Sequence, residues 1–172
     1  MTTEQPLTHL DAAGQARMVD VSGKDVTARS ATATGTVLLS SEAVTALRSG
    51  AVPKGDALAV ARIAGIQGAK RTPELIPLCH PIGLHAVAVD LQVADHGVVI
   101  RSTVRTADRT GVEMEALTAV SVAALALIDM VKAVDPAAVI TDVQVEEKAG
   151  GKRGRWQRGP AEHPADISRG KP

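Results

Sequence analysis

The sequence predicts an α+β domain in which an antiparallel β-sheet carries helices on one face. Three observations point there. Apolar residues alternate with polar ones from His85 to Ala94 and again over Val98, Ile100 and Val104. The turn signal Asp95-His96-Gly97 lies between, the pattern of a half-buried hairpin. Residues 110–135, TGVEMEALTAVSVAALALIDMVKAVD, read as a helix that is apolar almost all the way round, which marks a buried helix. Its uncharged run, Ala116 to Ile128, is too short to span a bilayer and so belongs to a soluble core. Finally, 172 residues suit one sizeable core with ragged ends.

The remaining elements follow in order. Residues 1–15 are polar and irregular, expected to form a flexible segment. Arg29 to Leu39, rich in Thr, Ala and Val, reads as a strand. Ser41 can cap a short helix through Arg48, ended by Gly50. After Pro53-Lys54-Gly55, Asp56 can cap a second helix to about Lys70, whose alanines and glycines suit tight packing. Thr72-Pro73 stops it. Pro77 and Pro81 deny helix to the apolar loop ELIPLCHPIGL. Beyond the hairpin, the long helix opens at Thr110 with Glu113 in the capping-box position, and Pro136 lies past its end. Val139 to Val145 gives a last alternating strand, and Gly150-Gly151 ends it. Residues 155–172 are polar and aperiodic and read as a disordered tail, leaving one domain over residues 16–154. The order matches the ferredoxin-like β-α-β-β-α-β plan. Such a plan fixes no activity.

Composition narrows the function classes. Lys+Arg and Asp+Glu balance at 19 each, so no global field favours nucleic acid or an anionic membrane. Phe and Tyr are absent and Trp156 lies in the polar tail, which leaves no base-stacking platform in the body of the protein. A core of small aliphatic side chains makes oligomerisation a reasonable expectation. Cys79 is the only cysteine, which indicates a reducing compartment without disulfides. The N-terminus lacks the pattern of a secretory signal, so cytoplasm is expected.

Several residues could carry chemistry, each with an ordinary reading beside the functional one. Lys54 precedes a helix N-terminus and could hold phosphate there, or be a solvated lysine beside the capping Asp56. Cys79-His80 could suggest a metal, but zinc needs three or four spaced ligands and only His85 lies near, so no metal is expected. Asp129 and Lys132, spaced i, i+3, share a helix face as either a surface ion pair or a desolvated acid/base pair. Glu113 has its capping-box explanation; Glu115 has none. Glu115 and Asp129 project within about 40° of each other but roughly 21 Å apart along the axis.

Five segments carry a resemblance: LTHLDAAGQARMVDVSGK (Leu7 to Lys24), KGDALAVARIAGIQGAK (Lys54 to Lys70), LIPLCHP (Leu75 to Pro81), the long helix, and KAGGKRG (Lys148 to Gly154). Over residues 7 to 155 the chain resembles the cyclic pyranopterin monophosphate synthase family, the molybdenum cofactor biosynthesis protein C. LIPLCHP together with TGVEMEALTAVSVAAL is highly specific. The resemblance implies a lyase acting on a cyclised dihydroguanosine triphosphate, releasing diphosphate and closing the pyranopterin rings and a cyclic phosphate. It implies a ferredoxin-like fold, no cofactor, and homohexamers built as trimers of dimers with the site at the subunit interface.

Position by position, the family's active-site acid/base falls on Asp129, and its catalytic lysines on Lys132 and Lys54. Substrate-lining positions fall on Leu78, Cys79, His80, Met114 and Glu115, with Glu113, Lys24, Arg29 and Lys148 nearby. Arg109 stands where family members commonly carry Lys; it keeps the charge without lysine's proton chemistry and is expected to have no catalytic role. The two charged helix ends are expected to be half-sites, each completed by another subunit: Glu115 by a His80 loop, and Asp129 and Lys132 by a Lys54. Two other classes compete. A nucleotide-sensing module would bind without turnover, and a metal-dependent phosphohydrolase would need a carboxylate/His cluster that the sequence lacks.

Overall fold

The computed structural model describes residues 13–152 and 154–159. Its elements are β1 (Thr27–Leu38), α1 (Ser41–Ser49), α2 (Ala57–Lys70), the single turn α3 (Thr72–Leu75), β2 (Ala86–Ala94), β3 (Gly97–Asp108), α4 (Glu113–Val131), β4 (Val139–Ala149) and β5 (Trp156–Gln157). The sheet runs β2-β3-β1-β4-β5, and every neighbouring pair is antiparallel. The first four strands in this order follow the ferredoxin-like plan, with β5 added at one edge.

Period-two alternation sets the sheet's two faces. Ala31, Ala33 and Val37 of β1 and Val98, Ile100 and Val104 of β3 are fully buried in one core cluster with α4. Thr32 and Thr103 point the other way, their hydroxyls 3.2 Å apart. By length and composition alone α4 could cross a membrane. Its packing assigns it to the core instead: Ala116, Ala119, Val120, Ala123 and Leu127 are wholly buried against the sheet and α2. Burying Val120 and Leu127 contributes about 1.5–3 kcal/mol each.

α2 packs along α4 at close range because its facing positions are glycines. A Cβ at Gly65 would stand 2.8 Å from the Ala119 carbonyl oxygen, and one at Gly68 would stand 2.8 Å from Val122. The two helices run antiparallel, so the start of α2 lies beside the end of α4. Asp56 caps α2 as expected, accepting from the Ala59 N–H. Asp135, buried just beyond α4, accepts from the N–H groups of Ser40 and Ala137 and ties that helix exit to the start of α1.

Four local expectations change. The cap of α1 is Ser40, one residue before Ser41, with its hydroxyl accepting from the Ala43 N–H. Thr72-Pro73 opens the short turn α3 as well as ending α2, since Pro fits the first helical turn. α4 begins at Glu113 rather than Thr110, and Val112 at its N-cap makes no side-chain cap bond. The capping box therefore does not form, because Glu113 turns to Lys148 instead. Trp156 and Gln157, expected in a disordered tail, pair with Lys148 and Glu147 of β4. The rest of the tail after residue 159, and residues 1–12 of the expected N-terminal segment, lie outside the described residues.

Candidate active site

The antiparallel pairing of α2 and α4 sets the site's geometry. The chain entering α2 meets the end of α4, and the chain leaving α2 and α3 meets its start. Each meeting places charged side chains together.

At the end of α4, Asp129 receives two lysines. Lys54 Nζ donates to its Oδ2 at 2.8 Å, and Lys132 Nζ lies 2.8 Å from its Oδ1. The bonds from Lys132 and then Lys54 hold the Asp129 carboxyl down at about 2, so it is ionised throughout the neutral range. One carboxylate between two ammonium groups leaves a net positive charge facing solvent. The side chains of Lys54, Asp129 and Lys132 are 42%, 56% and 58% exposed. The Asp129/Lys132 pair is exposed in the single chain, which agrees with the surface-ion-pair reading of its spacing. One expectation is corrected here. Lys54 reaches Asp129 from the same chain, with no second subunit required.

The start of α4 is the more enclosed end. Lys24, Leu78, Cys79, His80, Glu113, Met114 and Glu115 line a cavity of about 470 Å³, with Val19 and Val21 on its wall. Glu115 is only 3% exposed. Burial, with a smaller push from the charge of Glu113, raises its carboxyl to about 7. Burial, followed by the charge of Glu115, also raises the Cys79 thiol, which keeps it protonated rather than a thiolate nucleophile. His80 Nε2 lies 2.7 Å from the Val19 carbonyl oxygen. A carbonyl only accepts, so Nε2 carries a hydrogen and Nδ1 of the neutral ring is left as an acceptor. Here too the His80 loop and Glu115 meet within one chain, against the expectation of a second subunit.

A second cavity of about 470 Å³ adjoins the first and shares Lys24, Thr110, Gly111 and Glu113 with it. Its cations are Lys24, Arg29, Arg109, Lys148 and Lys152, and Glu113 is its one carboxylate. Lys148 Nζ donates to Glu113 Oε1 at 2.6 Å. Gly151 sits at φ +72 where a Cβ would overlap the Arg29 guanidinium, so the glycine lets Arg29 lie against the loop. Arg29 Nε donates to the Asp108 carbonyl at 2.8 Å. A concave site with five cations and one partly neutralised carboxylate suits a polyphosphate.

Nine of the twelve site residues expected from sequence thus converge at the start of α4, and the other three meet at its end. Sequence reasoning missed Lys152 and the loop at Val19. It gave Arg109 no catalytic role; Arg109 lines the basic cavity, and its Nε donates to the Lys24 carbonyl at 2.9 Å. The basic, glycine-rich KAGGKRG run was the signal that could have included Lys152. Among the described residues no three His, Cys, Asp or Glu side chains gather closely enough to hold a metal ion.

Comparison with known proteins places this arrangement. The MoaC family profile matches residues 18–151. A cyclic pyranopterin monophosphate synthase from Streptomyces avermitilis is 72% identical over 152 residues, covering 88% of this chain and 89% of its own. Its Streptomyces coelicolor counterpart is 70% identical over the same shares. Cyclic pyranopterin monophosphate synthase 2 of Mycobacterium tuberculosis is 56% identical over 88% of this chain and 91% of its own.

Proposed function

The chain belongs to the MoaC family, and from that premise we propose that it acts as a cyclic pyranopterin monophosphate synthase. It is a lyase of molybdenum cofactor biosynthesis. It converts (8S)-3′,8-cyclo-7,8-dihydroguanosine 5′-triphosphate to cyclic pyranopterin monophosphate and releases diphosphate. The observation that carries the chemistry is the Lys54–Asp129–Lys132 cluster, a carboxylate with a hydrogen-bonded ammonium on each oxygen.

The reaction asks for two capacities. Closing the cyclic phosphate requires a substrate oxygen to attack the α-phosphorus while the bond to the β-phosphate breaks. Cations must hold the triphosphate and the departing diphosphate, and Lys24, Arg29 and Lys148 can do so. Rearranging the rings moves several protons, which Lys54 and Lys132 can exchange with the substrate while the ionised Asp129 accepts from both and holds them in place. Leu78, Cys79, His80, Met114 and Glu115 form the wall against the guanine-derived ring. Protonated Glu115 can donate to it, and His80 Nδ1 can accept from it.

The relay and the anion cavity lie at opposite ends of α4, roughly 21 Å apart by helical rise. One small substrate cannot bridge them in one chain. A homohexamer built as a trimer of dimers, with one subunit's relay facing its partner's cavity, joins them. Exposed Val60 and Ile63 of α2 and Leu125 of α4 supply apolar surface for such contacts. A cytoplasmic setting fits the lone thiol of Cys79.

Diphosphate release from the cyclised triphosphate tests the reading. Wild type should turn over, and Lys54→Ala and Asp129→Ala should each lose about 100-fold or more. A near-normal rate in either variant would remove that residue from the mechanism, and no turnover by wild type would refute the function.

A further inference from the structure

We propose that Arg109 is a positioning residue for the phosphate site: its hydrogen bond to the Lys24 carbonyl fixes where the Lys24 ammonium meets the triphosphate. This deepens the function proposed above and rests on it. Lys24 stands at a junction. It lines the ring cavity and the basic cavity, and also a third cavity of about 450 Å³ that adjoins the basic one at Arg29, Gly151 and Lys152. Among the described residues no other is common to all three. Its place therefore sets how a ring in the first cavity connects to phosphates in the others.

No regular element holds Lys24. The segment from Val19 to Asp25 belongs to neither helix nor strand. Its local bonds close a turn on itself: the Lys24 N–H donates to the Val21 carbonyl at 3.0 Å, and the Ser22 N–H to Asp20 Oδ1 at 2.8 Å. Side chains of the site tie that turn to the rest of the fold. His80 holds the Val19 carbonyl, and Arg109 Nε donates to the Lys24 carbonyl at 2.9 Å.

Arg109 has a firm base from which to do this. It follows Asp108, which pairs with Thr27 at the first residue of β1. Its own N–H donates to Asp108 Oδ1 at 2.6 Å. The Asp108 carbonyl meanwhile accepts from Arg29 Nε at 2.8 Å. The exit of β3 thus aims two cations, Arg29 by its side chain and Lys24 by its backbone. A bond from a guanidinium is charge-assisted and stronger than a neutral one. Fixing the Lys24 backbone in advance spares that ordering when the triphosphate binds.

The test separates a strut from a phosphate ligand. Glutamine sets its Nε2 donor as many bonds from Cα as arginine's Nε but carries no charge; methionine has neither donor nor charge. In calorimetric titration, inorganic triphosphate should bind about tenfold more weakly to Arg109→Met, and to within about threefold of wild type in Arg109→Gln. In a Lys24→Ala background Arg109→Met should cost less than about twofold more, because the strut has nothing left to position. KM for the cyclised triphosphate should follow the same pattern, with kcat of Arg109→Met within about threefold of wild type. The titration decides the positioning role without turnover, so failure of the proposed function is read separately. Arg109→Gln as weak as Arg109→Met would overturn the proposal, by making the charge the active feature. An equal loss with and without Lys24, or no saturable binding by wild type, would overturn it too. Should Arg109→Met not fold, Arg109→Gln decides: near-wild-type affinity supports the strut, and a loss of about tenfold overturns it.

Discussion

Glu115 and Asp129 are two carboxyl groups on one helix with opposite protonation. Asp129, hydrogen-bonded to two lysines, sits near 2 and stays charged, whereas burial holds Glu115 near 7. Between those values Asp129 is ionised and Glu115 holds its proton. The fold bears a cost for Glu115. Unfolded, the carboxyl ionises near 4.5; folded, it keeps its proton to about 7. Over that window the native state binds more protons, so stability falls as pH rises, by a total on the order of 3 kcal/mol. Glu115→Gln should therefore match wild type near pH 4 and unfold at higher urea than wild type at pH 8, at one protein concentration. A wild-type advantage at pH 8 would show that the ionised carboxylate is stabilised. In the sequence, Glu115 stood out as a charge without a local excuse. Its protonation was not legible, because the loop at Leu78 to His80 that covers it is supplied by tertiary folding. Likewise Lys54 and Asp129 meet across 75 residues, a contact no local pattern encodes.

The α2–α4 pair is the element that places these residues. Its closeness depends on Gly65, whose facing atoms are the Ala119 carbonyl oxygen at 2.8 Å, Ala123 Cβ at 3.0 Å and Val89 Cγ1 at 3.3 Å from an added Cβ. The carbonyl belongs to helix backbone and cannot rotate away. Gly65→Ala should accordingly destabilise the fold by about 1–3 kcal/mol through overpacking, despite alanine's better helix propensity. Urea unfolding measures it, and a neutral or stabilised variant would show that the helices have room to part. Activity should fall as well, because parting the helices draws Lys54 from Asp129. At this scale the sequence was largely readable: Thr, Ala and Val content marked β1, alternation marked β2 to β4, and uninterrupted apolarity marked α4. Two of the misses share one cause. Glu113 could cap α4 or pair with Lys148, and a contact 35 residues away prevailed over the local one. Two-residue β5 is too short to show any period and exists because β4 offers an edge.

One chain holds both charged clusters, and the length of α4 keeps them apart. If each working site joins the Lys54–Asp129–Lys132 relay of one subunit to the Lys148 cavity of its neighbour, the two ends can be inactivated in different chains. Asp129→Ala removes the relay and leaves the cavity; Lys148→Ala does the reverse. Each variant alone should be nearly inactive. In randomly mixed oligomers a site is intact when its relay comes from the Lys148→Ala chain and its cavity from the Asp129→Ala chain. Each condition holds half the time, so co-expressed subunits should regain about one quarter of wild-type diphosphate release. A site confined to one chain allows no such recovery, because every subunit then carries a defect in its own site. Mixed oligomers no more active than either parent would therefore refute the shared site, provided mass measurement shows that the subunits have mixed.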